Sequence, residues 1–270
     1  MHRFAYVIPS FLLLLLNIII HSHALSPAAK ENRGTNRLFL DTAVESEWYG
    51  LSTGMFHGIT TNPALLEKAG HKCTVESVRL LSSRALALPN CSEFMCQAWG
   101  RNSVEMFQIG MQLSEVDRER IVIKVPVTLE GTQAAKRLID SGVRVCLTAC
   151  YNSDQAMIAS GLGAEYIAPY LGRMIDNRKN GLEEVARMQR IVNGMGSKTR
   201  ILVASIRDLK QMSTLMEYGM NTFTFNPDLA RDMFRDPLTI AAAAEFEECA
   251  ERMGAYKASA SPRAKSLEEL

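Results

Sequence analysis

From Arg37 onward, short apolar runs rich in β-branched and aromatic residues alternate with longer amphipathic segments. The short runs have the length and composition of strands and are bounded by turn residues. Eight strands are predicted, over residues 37–43, 57–62, 93–99, 121–127, 143–150, 165–171, 199–205 and 221–226.

The segments between the strands carry apolar residues at helical spacing. Helices are predicted over residues 103–117, 131–142, 152–163, 181–196 and 237–254. Four glycines fall where helices are expected to end, namely Gly142, Gly163, Gly196 and Gly219. The whole body of the chain thus reads as strand followed by helix.

This alternation predicts an α/β fold, a single (β/α)8 TIM barrel with an extra C-terminal helix. A doubly wound open sheet is the alternative, but no glycine-rich dinucleotide loop follows the first strand. Because no repeat or linker interrupts the body, one catalytic domain is predicted over residues 37–254, followed by a flexible tail over 255–270.

The amino-acid composition indicates which kinds of molecule the protein binds. The chain has 270 residues, is 47% hydrophobic and carries a net charge of +1 from 30 basic and 29 acidic residues. Such a balance lacks the basic surface of a nucleic-acid-binding protein. Small molecules are therefore the expected partners, without nucleic acid and without membrane contact in the mature protein.

The cysteines argue against a disulfide-stabilised secreted domain. Cys96, Cys146 and Cys150 fall inside predicted strands, where a free thiol behaves as a small hydrophobe. No CxxC pair with a nearby histidine is present, so no metal is expected. These features favour a reducing compartment, whereas one glycosylation sequon at Asn90 points the other way.

One lysine interrupts an otherwise apolar strand, IVIKVPVTLEG, at position 124. A buried ammonium is costly unless it is paired or loses its proton, and a free amine attacks carbonyl groups. The alternative is that Lys124 sits at the strand end and extends its ammonium to water.

Other polar residues share this position at the predicted carboxyl ends of strands, where TIM barrels carry their active sites. The set comprises Asp41, Thr60, Thr61, Asn62, Gln97, Lys124, Thr148, Tyr170, Arg173, Ser205 and Arg207. Single members have structural alternatives: Asp41 as a helix cap, Thr148 as a β-former and Arg207 as a solvated charge. Their joint occurrence favours Lys124 as a nucleophile, and two arginines with a serine suit a phosphate group.

The motifs LFLDTA, GITTNPALL, IVIKVPVTLEG, AEYIAPYLGRM and LVASIRD resemble, in order and spacing, the transaldolase and fructose-6-phosphate aldolase family. The resemblance runs from about Arg37 to about Gly254. It implies a TIM barrel that forms a Schiff base with a dihydroxyacetone unit of a sugar phosphate, without metal or organic cofactor. It also implies a homo-oligomer, a pentamer or decamer in which the C-terminal helix packs on a neighbour.

The same resemblance implies a role for each matching residue. Lys124 matches the Schiff-base lysine, and Asp41 matches the carboxylate that assists proton transfer. Asn62, with Thr61 beside it, matches the asparagine that binds the donor hydroxyl groups. Gln97 and Thr148 match the residues that hold the catalytic water, and the phosphate set matches Arg173, Ser205 and Arg207.

Three positions distinguish the branches of this family. Transaldolases typically have glutamate at Gln97, serine at Ala168 and phenylalanine at Tyr170, so this chain has the aldolase-type residue at each. A tyrosine hydroxyl can act as a general acid or base. In contrast, the Gly172-Arg173 and Ser205-Ile206-Arg207 segments resemble transaldolases.

The expected activity is therefore reversible cleavage of fructose 6-phosphate to dihydroxyacetone and glyceraldehyde 3-phosphate. One alternative is a transaldolase of the pentose phosphate pathway, which transfers the dihydroxyacetone unit between sugar phosphates. A second alternative is a barrel that binds a phosphosugar without converting it.

The first 24 residues have a basic start, an apolar run from Phe11 to Ile20 and a small residue at Ala24, which predict a signal peptide. Residues 25–36, which begin with Leu25, resemble the second part of a plastid-targeting leader, or else form a linker. Plastid import through the secretory pathway is predicted, with secretion as the alternative. A fluorescent fusion of residues 1–45 in a host with such plastids should label the plastid; fluorescence in the medium would contradict this.

Overall fold

The computed structural model describes residues 36–49 and 54–256. The predicted leader and most of the predicted tail lie outside these residues, so the targeting hypothesis stays a prediction. The eight strands are β1 (Arg37–Asp41), β2 (Gly58–Thr60), β3 (Glu93–Gln97), β4 (Ile121–Pro126), β5 (Arg144–Cys150), β6 (Tyr166–Pro169), β7 (Arg200–Ile201) and β8 (Thr222–Phe225).

Helices follow the strands along the described chain. They are α1 (Glu45–Tyr49), α2 (Pro63–Lys68), α3 (Val75–Leu86), α4 (Ser103–Ser114), α5 (Leu129–Asp140), α6 (Gln155–Leu162), α7 (Leu171–Asp176), α8 (Gly181–Gly194), α9 (Leu209–Glu217), α10 (Pro227–Asp232) and α11 (Pro237–Arg252). Every predicted strand and helix is present. The strands are shorter than predicted because their last residues turn into the loops of the barrel mouth.

The strands are all parallel and follow one another in order, with β8 beside β1. The remaining gap, between β7 and β8, is bridged by Val203, whose N–H donates to Thr222 O (3.0 Å) and whose carbonyl accepts from Thr224 N (2.9 Å). The fold is therefore a (β/α)8 TIM barrel, and the alternative of an open doubly wound sheet is excluded.

Capping side chains start the helices close behind the strands. An oxygen of the cap residue accepts a backbone N–H of the first helical turn, which supplies a partner that the helix itself lacks. The caps are Asn62, Asn102, Thr128, Asp208 and Asn226. Each cap therefore lies near the carboxyl end of its preceding strand, at the edge of the barrel mouth.

Side chains alternate along each strand between the barrel interior and the surrounding helices. A layer of apolar side chains crosses the middle of the interior, formed by Phe39, Met95, Val122, Cys146 and Leu202. The outward-facing residues pack against the helices in a larger apolar core. The middle layer closes the interior, so the barrel has no open channel at this level.

Below this layer, charged residues at the strand beginnings pair with one another. Glu93 accepts hydrogen bonds from Arg37 (3.0 Å), Arg144 (2.7 Å) and the Tyr166 hydroxyl (2.7 Å). His57 Nε2 lies 3.2 Å from the same carboxylate.

Electrostatics confirm that Glu93 is the centre of this network. Burial alone raises the pKa of Glu93, but the hydrogen bonds and the Arg144 charge outweigh it and lower the pKa to about 2. The carboxylate is thus ionised in the folded protein throughout the physiological range, and its charge stabilises the fold.

The last helix differs from the others. Asp236 caps α11 by accepting Thr239 N at 2.8 Å, and Pro237 occupies its first turn. However, none of the residues of α11 is buried. Phe246 and Leu238 are 69% and 80% exposed, so the helix leaves apolar side chains uncovered.

All six cysteines lie in the described part of the chain and each is free. Cys96, Cys146 and Cys150 are fully buried in β3 and β5, as the sequence predicts for small hydrophobic residues. Within residues 36–49 and 54–256, no helix has both the length and the apolar character to cross a membrane.

Replacing Glu93 by glutamine keeps the side-chain shape but leaves Arg37 and Arg144 short of a carboxylate. We expect Glu93→Gln to lower the free energy of unfolding at neutral pH by about 3–5 kcal/mol, measured by urea denaturation. Because folding lowers the pKa of Glu93 from 4.5 to about 2, the wild-type advantage is complete above pH 4.5. It is lost as the pH falls through about 2.

Glu115→Gln is the matched control, since Glu115 forms an exposed ion pair with Arg79 at 2.8 Å. Glu115→Gln should lower the free energy of unfolding by less than about 1 kcal/mol. A Glu93→Gln cost that does not diminish across the acidic window would contradict the electrostatic account.

Candidate active site

The alternation that builds the apolar layer also builds the site above it. Two residues beyond each inward-facing apolar side chain, the next inward-facing position lies at the barrel mouth. Counted from Phe39, Met95, Val122, Cys146 and Ala168, these positions hold Asp41, Gln97, Lys124, Thr148 and Tyr170. The five residues predicted to be catalytic therefore lie near the carboxyl ends of five strands, with Tyr170 directly after β6.

Lys124 lies inside the barrel rather than at its surface. The residue is only 2% exposed, and its Nζ donates a hydrogen bond to the Thr61 carbonyl at 3.3 Å. Gln97 on β3 and Cys146 on β5 are its neighbours in the strand register. The alternative that Lys124 extends its ammonium to bulk water is therefore wrong.

Opposing effects set the charge of Lys124. Burial alone lowers its pKa, whereas negative charge on Tyr170 and Asp41 raises it, and the balance leaves the pKa above its ordinary value. With its pKa above the ordinary value, the side chain is an ammonium at rest. A neighbouring group must accept the proton before Lys124 can attack a carbonyl.

Asp41 is oriented by two threonines. The Thr60 hydroxyl donates to Asp41 Oδ1 at 2.7 Å and lies 2.6 Å from the Thr224 hydroxyl. The contact at the beginning of the next helix comes instead from Thr42, whose Oγ1 accepts from Val44 N at 3.1 Å. Asp41 is therefore held facing the interior and does not act as a helix cap.

Tyr170 is fixed by three contacts. Its hydroxyl accepts a hydrogen bond from Thr148 Oγ1 at 3.1 Å. Its ring packs edge-on against Tyr151, with centroids 5.8 Å apart, and the Arg173 guanidinium lies 5.1 Å from its centroid. The phenol oxygen is thus placed over the barrel interior with little freedom.

A cavity of about 280 Å³ opens at this level. Six of the predicted site residues line it, namely Asp41, Asn62, Lys124, Tyr170, Arg173 and Ser205. The other four, Thr61, Gln97, Thr148 and Arg207, are not among its lining residues. Thr148 contacts the site indirectly, because its hydroxyl donates a hydrogen bond to the Tyr170 hydroxyl. Thr61 contacts it through its backbone carbonyl, which accepts a hydrogen bond from Lys124.

Asn62 and Thr61 serve the site differently from one another. The Asn62 side-chain oxygen caps α2 by accepting Leu65 N at 3.1 Å, so only its amide NH2 group is left to contact a ligand. The Thr61 hydroxyl is buried without a hydrogen-bond partner in the described chain. Its backbone carbonyl, which sequence reasoning could not identify, is what binds Lys124.

The predicted phosphate residues separate into two groups. Arg173 and Ser205 line the cavity. Arg207 is exposed and forms an ion pair with Asp176 at 2.8 Å, so the structure does not place it in the cavity. The solvated alternative considered for Arg207 describes this arrangement better than direct phosphate contact does.

The loops that carry these residues are held together closely. Ser205 adopts a left-handed backbone conformation (φ 58°), and its carbonyl accepts a hydrogen bond from Gly172 N at 2.9 Å. A Cβ atom on Gly172 would lie 2.3 Å from that carbonyl oxygen. Position 172 therefore requires glycine, and this close contact sets the height of Arg173 above the cavity.

Sequence reasoning missed one cavity-lining cation, Lys68, in the last turn of α2. A signal was available, since Lys68 lies on the short helix that begins immediately after the Thr-Thr-Asn segment. A second cavity, of about 290 Å³, is lined by Trp48, Phe56, Leu88 and other described residues without charge. It lies away from Lys124. Within the described residues, no cluster of histidine, cysteine and carboxylate side chains could hold a metal ion.

Solved structures resemble this barrel in fold. A dihydrodipicolinate synthase from Rhodopseudomonas palustris superposes with a TM-score of 0.52 over 72% of this chain and 70% of that chain. The sequences are 12% identical over this region, so the likeness concerns the fold alone.

Sequence relatives are more specific. Residues 38–269 match the family described as Transaldolase/Fructose-6-phosphate aldolase. A protein of Leptospira biflexa named "Probable transaldolase" is 31% identical over 217 residues, which cover 80% of this chain and 98% of that protein. A Chelativorans protein of the same name is 32% identical over 207 residues, covering 75% and 91% of the two chains. The chain therefore belongs to the transaldolase/fructose-6-phosphate aldolase family.

Proposed function

We propose that this protein transfers a dihydroxyacetone unit between sugar phosphates through a Schiff base on Lys124. Membership of the family makes it an enzyme of the class I aldolase/transaldolase type. The observation that carries the proposal is the buried Lys124 ammonium, which shares a cavity with one carboxylate, Asp41, and with the cation of Arg173.

The reaction begins when Lys124 gives up its proton and its amine adds to the ketose carbonyl. Loss of water then forms an iminium ion. A base removes the proton of the hydroxyl on the fourth carbon, the bond between the third and fourth carbons breaks, and its electrons move to the iminium. An aldose phosphate leaves, and an enamine of dihydroxyacetone remains on Lys124. We assign the acceptance of these protons to Asp41, which lines the cavity and accepts a hydrogen bond from the Thr60 hydroxyl.

Transfer requires the enamine to wait for an acceptor aldehyde. The enamine attacks that aldehyde, whose oxygen takes up a proton, and water then releases the new ketose from Lys124. The relatives named as probable transaldolases favour this route. Arg173 and Ser205 would hold the phosphate, while Arg207 would have to exchange Asp176 for the phosphate before it could join them.

Direct release of dihydroxyacetone is the second candidate, and Tyr170 favours it. Protonating the enamine and adding water to the imine would end the cycle without an acceptor. The Tyr170 hydroxyl is held by Thr148 and lines the cavity, so it is placed to supply that proton. Gln97, which cannot ionise, would only orient the water. The relatives weigh against this route, which the sequence by itself favoured.

A single assay separates these routes from mere binding. Purified protein is incubated with fructose 6-phosphate, with and without erythrose 4-phosphate, and part of each sample is treated with borohydride. We expect a three-carbon adduct on the peptide containing Lys124, little free dihydroxyacetone, and a new ketose phosphate only when the acceptor is present. Mass spectrometry and product analysis measure these outcomes.

Two variants sharpen this assay. Lys124→Met should form no adduct, whereas an adduct at another lysine would refute the mechanism. If Tyr170 delivers the proton that releases dihydroxyacetone, Tyr170→Phe should reduce acceptor-independent release by roughly 10²–10⁴-fold without reducing transfer. If the wild type rapidly releases dihydroxyacetone without an acceptor, the activity is aldol cleavage and not transfer. If fructose 6-phosphate binds tightly while Lys124 stays unmodified, the protein is a phosphosugar-binding barrel without catalytic activity.

We also infer that the protein is a homo-oligomer, a pentamer or decamer in which α11 packs on a neighbouring chain. The support is that α11 has no buried residue although Leu238, Ile240 and Phe246 are all more than half exposed. An isolated helix of this length is marginal in water, so its apolar side chains favour burial against a second copy.

Analytical ultracentrifugation should therefore give a mass several times that of one chain. Phe246→Glu should lower that mass, because it places a charge in the contact. Leu80→Glu is the matched control, since Leu80 lies on the outer face of α3 and is 54% exposed, and it should leave the mass unchanged. A single-chain mass for the wild type would refute the assembly.

A further inference from the structure

Two lysines of the described chain, Lys68 and Lys124, line the candidate active site. It lies in the last turn of α2, the short helix that follows β2 and is capped by Asn62. The reaction proposed above uses Lys124 and assigns the phosphate to Arg173 and Ser205, so it leaves Lys68 without a role.

Helix geometry explains how Lys68 reaches the cavity. Ala64 and Lys68 are four residues apart, which places them one above the other on the same face of α2, and both line the cavity. Long side chains on a helix lean toward its N-terminus. The N-terminus of α2 is at the barrel mouth, so the ammonium of Lys68 is directed back over the small side chain of Ala64 toward the site.

The order of the strands places Lys68 across the mouth from Arg173. Lys68 follows β2, and Arg173 follows β6. In a closed barrel of eight consecutive strands, the second and sixth strands face each other. A substrate group at the rim of the cavity therefore has one cation on each side.

The charge on the cavity wall is unbalanced. Among the described residues, three cations, Lys68, Lys124 and Arg173, line the cavity together with one carboxylate, Asp41. In the described chain neither Lys68 nor Arg173 has a carboxylate partner, whereas Arg207 is occupied by Asp176. Asp41 lies beside Lys124 at the inner end, so the two outer cations remain available to an anion.

We propose that Lys68 is a specificity-determining residue that binds the phosphate of the substrate opposite Arg173. This inference rests on the proposed function, because imine formation at Lys124 fixes the carbonyl end of the substrate deep in the barrel. The other end of the chain must then extend outward to the rim, where Lys68 and Arg173 approach it from two sides. The pair selects phosphorylated sugars, while the chemistry at Lys124 does not need it.

Lys68→Gln removes the charge and retains most of the length, and Lys68→Arg retains the charge. A hydrogen bond to a charged group is worth enough to change binding by about 10- to 100-fold. We expect Lys68→Gln to raise the KM for fructose 6-phosphate by that factor and Lys68→Arg to restore most of it. The inhibition constant of inorganic phosphate should rise in parallel in Lys68→Gln.

Lys72→Gln is the matched control, an exposed lysine four residues further on that does not line the cavity. Its KM should equal that of the wild type. Trapping of unphosphorylated dihydroxyacetone on Lys124 by borohydride supplies the second readout. The yield and pH dependence of that adduct should be the same in Lys68→Gln and wild type, since no phosphate is present.

The results distinguish two failures. If wild-type protein forms no adduct with either ketose, the proposed function fails and this inference fails with it. If the wild type reacts but Lys68→Gln keeps the KM of Lys72→Gln, the assignment of Lys68 alone is wrong. A loss of the dihydroxyacetone adduct in Lys68→Gln would also overturn it, because Lys68 would then be acting through the charge of Lys124.

Discussion

Closure of eight parallel strands into one barrel is the constraint on which everything else here depends. Once the sheet closes, every second side chain of every strand must be accommodated in a narrow interior, and stacked layers are the only solution. Charged residues at the strand beginnings are tolerated because Glu93 pairs with Arg37 and Arg144. The next layer is apolar and closes the interior. The layer above is open to ligand on one side only, and Lys124 lies there.

The chemistry of Lys124 follows from that placement. A lysine resting on an apolar layer loses hydration, which favours the neutral amine, but the layer position that buries it also places Asp41 nearby. The negative charges of Tyr170 and Asp41 together outweigh burial and raise the pKa of Lys124, so its resting form is an ammonium rather than a free amine. A buried charge with opposite charges nearby costs less than an isolated one. Hydroxyl groups of Thr60 and Thr148 orient Asp41 and Tyr170, respectively, around the reacting nitrogen.

The cations that line the cavity lie at different depths. Lys124 lies deepest, in the same cavity as Asp41, while Lys68 on α2 and Arg173 on α7 approach the rim from opposite sides. Neither of these two outer cations has a carboxylate partner among the described residues. In the proposed reaction, a substrate with a carbonyl at one end and a phosphate at the other fits this arrangement in a single orientation. Gly172 contributes by its lack of a side chain, since it lets the first turn of α7, which bears Arg173, lie directly on the Ser205 carbonyl.

The eight strands, the main helices and the five inward-facing residues of the mouth were predictable from sequence because they obey local rules. Alternation along a strand and helical spacing depend on neighbours in the chain, and residues at strand ends such as Asp41 and Lys124 converge in any barrel. Through-space pairings were not predictable. The Thr61 carbonyl that binds Lys124 leaves no trace in residue identity, and the Asp176 that occupies Arg207 lies 31 positions away. Lys68 looked like an ordinary surface lysine until the opposite position of β2 and β6 placed it facing Arg173. The direction of the Lys124 pKa shift likewise required the tertiary structure, because burial lowers the pKa while the nearby Tyr170 and Asp41 raise it, and only the positions of these groups decide the balance.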